Sequence, residues 1–232
     1  MSSWKLASRR AAPTAVLWDL DGTLVDSGDY HWRAWRDTMR DEGVELTYQQ
    51  FLESFGQKND RILTAWMGNA ATRDVIGRVG DTKEALYRQL AVAEGLAPLP
   101  GAAAWVERLH RAGWRQAIAS SAPKENVRVM LDVLNLDGYF DAIVSAEDVT
   151  AGKPDPQVFL AAAAKLHTPA AFAVVVEDAA VGIEAARRAG MKCVGVSTSA
   201  VLPADVFVRS LADLEADVFD RLLGGQSAPA VR

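Results

Sequence analysis

The sequence predicts an α/β fold: a Rossmann-like, doubly wound, mostly parallel sheet core with an inserted α-helical cap domain. Three observations predict it. From Pro100 onward, short apolar runs alternate with segments of helical period, as in a parallel sheet covered on both faces. One further strand-like run, Ala15–Trp18, stands ahead of that series. Between the two lies a long stretch with helical spacing and no strand signal.

In chain order, the first strand ends at Asp19-Leu20-Asp21-Gly22. Tyr30, Trp32, Ala34, Trp35 and Met39 then recur near helical spacing, and the helix stops at Gly43. Thr47 is expected to cap a helix carrying Phe51, Leu52 and Phe55. Further helices are expected at Asp60–Met67, Ala71–Val79 and Thr82–Ala93. Gly95, Pro98, Pro100 and Gly101 break the pattern. Residues 28–97 therefore read as the inserted helical cap, and residues 14–27 and 98–223 as the α/β core. Residues 1–13 and 224–232 read as flexible termini.

The core continues with a helix over Ala102–Ala112 and a strand over Arg115–Ala119. Ser120-Ser121-Ala122-Pro123 turns into a helix over Lys124–Leu134. Asp141–Ser145 is a strand, and Lys153-Pro154-Asp155-Pro156 leads into a helix over Asp155–Leu166. Ala171–Val176 is a buried strand that runs out at Glu177-Asp178. Val181–Ala189 is a helix closed by Gly190, and Lys192–Val196 is a strand. A short strand at Val206–Val208 and a helix over Asp213–Leu223 complete the chain.

Composition narrows the function classes. The 232 residues are 50% hydrophobic and 24% charged, an ordinary globular profile. A net charge of -5 gives no footing for nucleic acid or an anionic membrane. No apolar run reaches membrane-spanning length, and the basic leader lacks the apolar core of a signal peptide. A lone cysteine, Cys193, excludes an intramolecular disulfide and fits a reducing cytoplasm. Seven tryptophans are taken as core residues, so a monomer is expected.

The chemistry sits at strand ends. Asp19 and Asp21 are two apart and face the same way in an extended segment. Two acids there are costly unless something cationic holds them, and a hard metal ion is the economical explanation. Ser120 and Ser121, Lys153, and Glu177 with Asp178 follow other predicted strands. In a parallel sheet all would meet at one edge. Carboxylates, a hard metal and one ammonium suggest phosphoryl chemistry. The Ser120 hydroxyl and backbone N–H are candidates for a phosphate oxygen, or the hydroxyl simply caps the helix. Glu147 and Asp148 read as a solvated acidic pair.

Asp19-Leu20-Asp21-Gly22-Thr23-Leu24-Val25-Asp26-Ser27 resembles the first motif of the haloacid dehalogenase superfamily. Ser120, Lys153 in Gly152-Lys153-Pro154, and Glu177-Asp178 match its second, third and fourth motifs in order. The helical insert resembles the cap of the subgroup holding β-phosphoglucomutase and sugar-phosphate phosphatases. The resemblance implies that Asp19 is the nucleophile, forming an aspartyl-phosphate, and Asp21 the general acid and base. It implies a magnesium ion (Mg2+) held by Asp19, the Asp21 carbonyl, Glu177 and Asp178. It assigns the transferring phosphate to Ser120, Ser121 and Lys153.

In the cap, His31 matches the subgroup's hinge histidine, and Lys83 a lysine that touches substrate; each also reads as an ordinary helix residue. In the mutase an arginine three positions after the cap glycine grips the second phosphate. Here Gly56-Gln57-Lys58-Asn59 puts Asn59 there, with Lys58 beside it. The expected function is therefore a Mg2+-dependent phosphatase of a small phosphorylated metabolite, a sugar phosphate. A hexose-phosphate mutase is the alternative. Asp21 argues against a dehalogenase or phosphonate-cleaving enzyme, which usually lack it, and the intact acid set against a non-catalytic relative.

Overall fold

β1 (Ala15–Trp18) lies at the centre of the sheet because nothing along it needs water; all four residues are fully buried. The computed structural model describes residues 13–54 and 57–224. Phe55, the cap glycine Gly56 and, apart from Pro13 and Gly224, the expected flexible termini at 1–13 and 224–232 lie outside them. β1 pairs in parallel with β2 (Arg115–Ala119) and β4 (Ala173–Glu177), in register at Leu17 with Ala117 and Val175. β3 (Ala142–Val144), β5 (Lys192–Val196) and β6 (Val206–Val208) extend the sheet in the order β3-β2-β1-β4-β5-β6. Every pairing is parallel, so all six carboxyl ends open on one edge, where such sheets bind ligands.

Alternation along β1 splits the core. Val16 and Trp18 face α5 (Ala102–Arg111), α6 (Lys124–Val133) and α9 (Val218–Leu222). Ala15 and Leu17 face α7 (Gln157–Lys165) and α8 (Ala180–Arg188). Of the tryptophans expected in the core, Trp18, Trp35, Trp105 and Trp114 are buried, Trp32 and Trp66 are only half-buried, and Trp4 lies outside the described residues. Among the buried polar side chains, Gln116 joins strand to helix: fully buried, it accepts from the Trp18 indole N–H at 2.9 Å and donates to the Val106 carbonyl at 2.9 Å. Gln116→Leu is expected to cost about 1–3 kcal/mol by leaving the buried Trp18 N–H unpaired, read by urea unfolding.

Four helices separate β1 from the rest: α1 (Gly28–Asp41), α2 (Tyr48–Ser54), α3 (Asn59–Met67) and α4 (Arg73–Glu94). They close on their own apolar cluster, with Trp35, Met39, Phe51, Leu63 and Val79 at its centre. Thr47 caps α2 in a reciprocal pair with Gln50. The helices expected over Ala71–Val79 and Thr82–Ala93 are one helix, α4. Gly77 and Gly80 each cost about 1 kcal/mol there. Burying Val79, Lys83, Tyr87 and Ala91 along one face outweighs that cost. Gly80 also passes close to Asn59, whose amide would stand 3.6 Å from an added Cβ. The helix expected over Asp213–Leu223 is likewise corrected. A turn at Leu211–Asp213 is capped by Ser210, Leu214 leaves helical geometry at ψ 133°, and only Val218–Leu222 is α-helical. No described helix is long and apolar enough to cross a membrane.

Candidate active site

The acids that end β1 and β4 meet across a lysine. Lys153, in the loop between β3 and α7, donates to Asp19 Oδ1 at 2.5 Å and to Glu177 Oε1 at 2.7 Å. Oxygens of Asp19, Glu177 and Asp178 lie within 4.8 Å of one another. One ammonium cannot balance three carboxylates. Burial pushes the Asp19 carboxyl up to about 7, with Glu177 adding to the rise and Lys153 opposing it. Burial, then Glu177 and Asp19, also pushes Asp178 well above the usual carboxylate range. Lys153 is driven the other way: burial alone would lower it, but Asp19 and Glu177 hold it above its ordinary value. Three hard oxygen donors with unbalanced charge fit a divalent cation such as Mg2+.

Asp21 is held from the opposite side. His31 of α1 lies 3.1 Å from its Oδ1, Nε2 to oxygen, and Ser27 Oγ also donates to it. Lys83 of α4 lies 2.8 Å from His31 Nδ1. An ammonium only donates, so Nδ1 accepts, and Nε2 carries the proton that points at Asp21. The His31 ring stacks on Tyr87 at 4.0 Å, which fixes its plane. Burial alone would raise Asp21; its contact with His31, then the Ser27 hydroxyl and the Lys83 charge behind the ring, outweigh that, and its carboxyl sits below the usual value. Lys83 is itself buried rather than on a solvated face.

The remaining candidates divide. Ser120 is buried and lines the same pocket with Ser121 and Lys153. Its backbone N–H donates to the Val144 carbonyl at 3.0 Å, so the expectation that this N–H holds a phosphate oxygen is corrected: sheet pairing occupies it. Nor does Ser120 cap α6, which begins after Pro123; its hydroxyl accepts from Ala122 N. Lys58 turns out of the pocket and donates to the Ala146 and Val149 carbonyls at 3.1 and 3.2 Å, bracing the helical insert against the core. Asn59 lines the pocket and donates to Glu84 Oε1 at 2.7 Å. Glu147 and Asp148 are partnered: Glu147 accepts from Lys124 N, and Asp148 pairs with Lys165 at 2.8 Å. Cys193 is a buried core thiol, pushed up by burial.

Sequence reading missed Glu84 and Asn126. Both are buried, and Asn126 Nδ2 donates to Glu84 Oε2 at 2.5 Å across α6 and α4. No local signal marks such a pair.

Gly22 is where the motif turns, at φ +82°. A Cβ there would stand 2.1 Å from Asp178 Oδ2. Gly22→Ala is expected to destabilise by about 1–3 kcal/mol and to displace Asp178. The thermal shift on adding magnesium, measured by calorimetry, should shrink with it.

A parallel sheet that concentrates buried acids at its carboxyl edge, beneath a helical insert reaching into the same pocket, is the build of an α/β enzyme. The chain belongs to the haloacid dehalogenase-like hydrolase family, which matches residues 16–196. β-Phosphoglucomutase from Bacillus subtilis is 32% identical, covering 86% of this chain and 91% of that protein. Fructose-1-phosphate phosphatase from Escherichia coli is 33% identical, covering 78% and 95%. The chloroplastic protein Suppressor of Quenching 1 from Arabidopsis thaliana is 35% identical over 80% of this chain, which spans 18% of that longer protein. Among solved structures, CbbY from Rhodobacter sphaeroides in complex with phosphate superposes with a TM-score of 0.80 at 25% identity, covering 87% of this chain and 96% of that one.

Proposed function

We propose that the protein is a Mg2+-dependent phosphatase of a small phosphorylated metabolite, a sugar phosphate, working through an aspartyl-phosphate. The observation that carries this reading is Asp19 and Asp21 sharing one pocket with Ser120, Lys153 and Asp178. In this reading Asp19 attacks phosphorus and the bond to the leaving oxygen breaks. Asp21, kept ionised at rest by His31 and Ser27, must take up a proton as substrate binds; it then protonates that oxygen and afterwards takes the proton from the water that hydrolyses the aspartyl-phosphate. Ser120, Ser121 and Lys153 hold the transferring phosphate. Asp19, the Asp21 carbonyl, Glu177 and Asp178 would hold the magnesium, which when bound offsets phosphate charge. Helices α1–α4, over residues 28–97, act as a cap on a core of residues 14–27 and 98–223. The protein acts as a cytoplasmic monomer.

Water is favoured as the acceptor because Asn59, on the cap wall, carries no charge to hold a second phosphate. A hexose-phosphate mutase is the second reading, supported by the Lys83–His31–Asp21 chain that ties cap to acid. Incubation with magnesium and a panel of phosphorylated sugars, following free phosphate and sugar isomers, tests both. Free phosphate from one or a few sugars supports the phosphatase. Isomers with little free phosphate support the mutase, and neither product ends both readings.

A further inference from the structure

The cap wall carries a buried carboxylate that the reading above leaves without a task. Glu84 is 5% exposed and lines the pocket. It accepts from Asn59 at 2.7 Å, Lys83 at 3.0 Å and Asn126 at 2.5 Å. Arg88 donates to Asn126 Oδ1 at 2.8 Å, which leaves the Asn126 amide N–H₂ facing Glu84. A carboxylate so well supplied with donors stays ionised: burial would raise it, but Lys83, His31 and Asn59 hold it below its usual value.

Its charge faces the same pocket as Asp21 and Lys83. Among the described lining residues the lysines are Lys83 and Lys153. Lys153 stands beside Asp19 and Glu177, at the end where the transferring phosphate would sit, and Lys83 is matched by its neighbour Glu84. Trp35, Phe51 and Ile62 add apolar surface, and Ser54, Gln57 and Asn59 add neutral polar groups. We infer that Glu84 is a specificity-determining residue: by cancelling Lys83 on the cap wall, it restricts the site to monophosphates with an uncharged, hydroxyl-bearing leaving group and rejects substrates carrying a second phosphate or a carboxylate. A second anion there would meet Glu84 and Asp21 with no cation left to pair it. This rests on the phosphatase reading, whose substrate class it narrows.

Matched ligands differing only in the far group test it: hexitol monophosphate against hexitol bisphosphate, and glycerol phosphate against phosphoglycerate. Binding is read by titration calorimetry with magnesium in Asp19→Asn protein, and turnover separately in the unaltered protein. Absence of turnover on every ligand would end the phosphatase reading while leaving the binding comparison to decide this one. The neutral member of each pair is expected to bind about tenfold tighter or more. In Glu84→Gln, which frees the Lys83 charge, that preference should shrink or reverse. Asn59→Arg adds a cation to the same wall without removing the buried carboxylate, and should shift the preference the same way if Glu84→Gln fails to fold. Equal or tighter binding of the doubly charged members, no binding of either member, or an unchanged preference in the folded variants overturns the assignment.

Discussion

Asp19→Asn is expected to lower phosphate release by about four orders of magnitude or more while leaving the fold in place. The amide keeps an oxygen at Oδ1 that can accept from Lys153, so the loop between β3 and α7 keeps its anchor. It lacks the carboxylate charge that the proposed attack on phosphorus requires, and no other described acid stands at the end of β1 with the same lysine behind it. Burial pushes Asp19 up to about 7, so the neutral side chain should be tolerated as well as or better than the native one near neutral pH. Assays under saturating magnesium, alongside near-UV circular dichroism and thermal unfolding, separate the effects. Activity within tenfold of the native protein would remove Asp19 as the nucleophile. A collapse of the near-UV signal would make its role structural.

The site's outline was legible in the sequence because acids at strand ends are local signals. An apolar run that ends in Asp19-Leu20-Asp21-Gly22, or in Glu177-Asp178, shows both the strand and its chemical terminus. β2, β5 and β6 fall where the short apolar runs and the turn residues around them put them, with β2 and β5 buried beyond their first residue and β6 half-buried at the sheet edge. Long-range packing was not legible. Whether Gly77 and Gly80 break α4 depends on α1 and α3, which pack against it from elsewhere in the chain. Lys83 reads equally as solvated or buried until Glu84, His31 and the Trp35 ring, 5.0 Å from its Nζ, are seen around it. The Glu84–Asn126 contact spans 42 positions and joins two helices of ordinary pattern. The expectation for the Ser120 backbone N–H fails similarly, because sheet register decides what Val144 pairs with.

Protein stripped of divalent cations is expected to lose thermal stability as pH rises from about 5 to 7, and magnesium to flatten or reverse that slope. The folded state raises Asp19 from 3.8 to about 7 and raises Asp178 well above 3.8. Raised groups bind protons more tightly folded than unfolded. Their contribution is complete below the unfolded value and lost as pH climbs through the folded one. Lys153 is also raised, but from 10.5, so it is charged in both states throughout this window. Asp21, Asp148 and Glu184 are lowered, and their contributions fade only as pH falls through values below this window. Asp19 and Asp178 therefore set the sign. Each proton taken up on folding is worth about 1.4 kcal/mol per pH unit, and about 2–4 °C in melting temperature per kcal/mol at this chain length. A divalent cation binds the ionised carboxylates, so its stabilisation should grow with pH across the same interval. Calorimetric scans at matched ionic strength, with chelator and with magnesium, read both slopes. Curves that stay parallel would mean that magnesium does not bind through Asp19 and Asp178, and the metal assignment would fall with them.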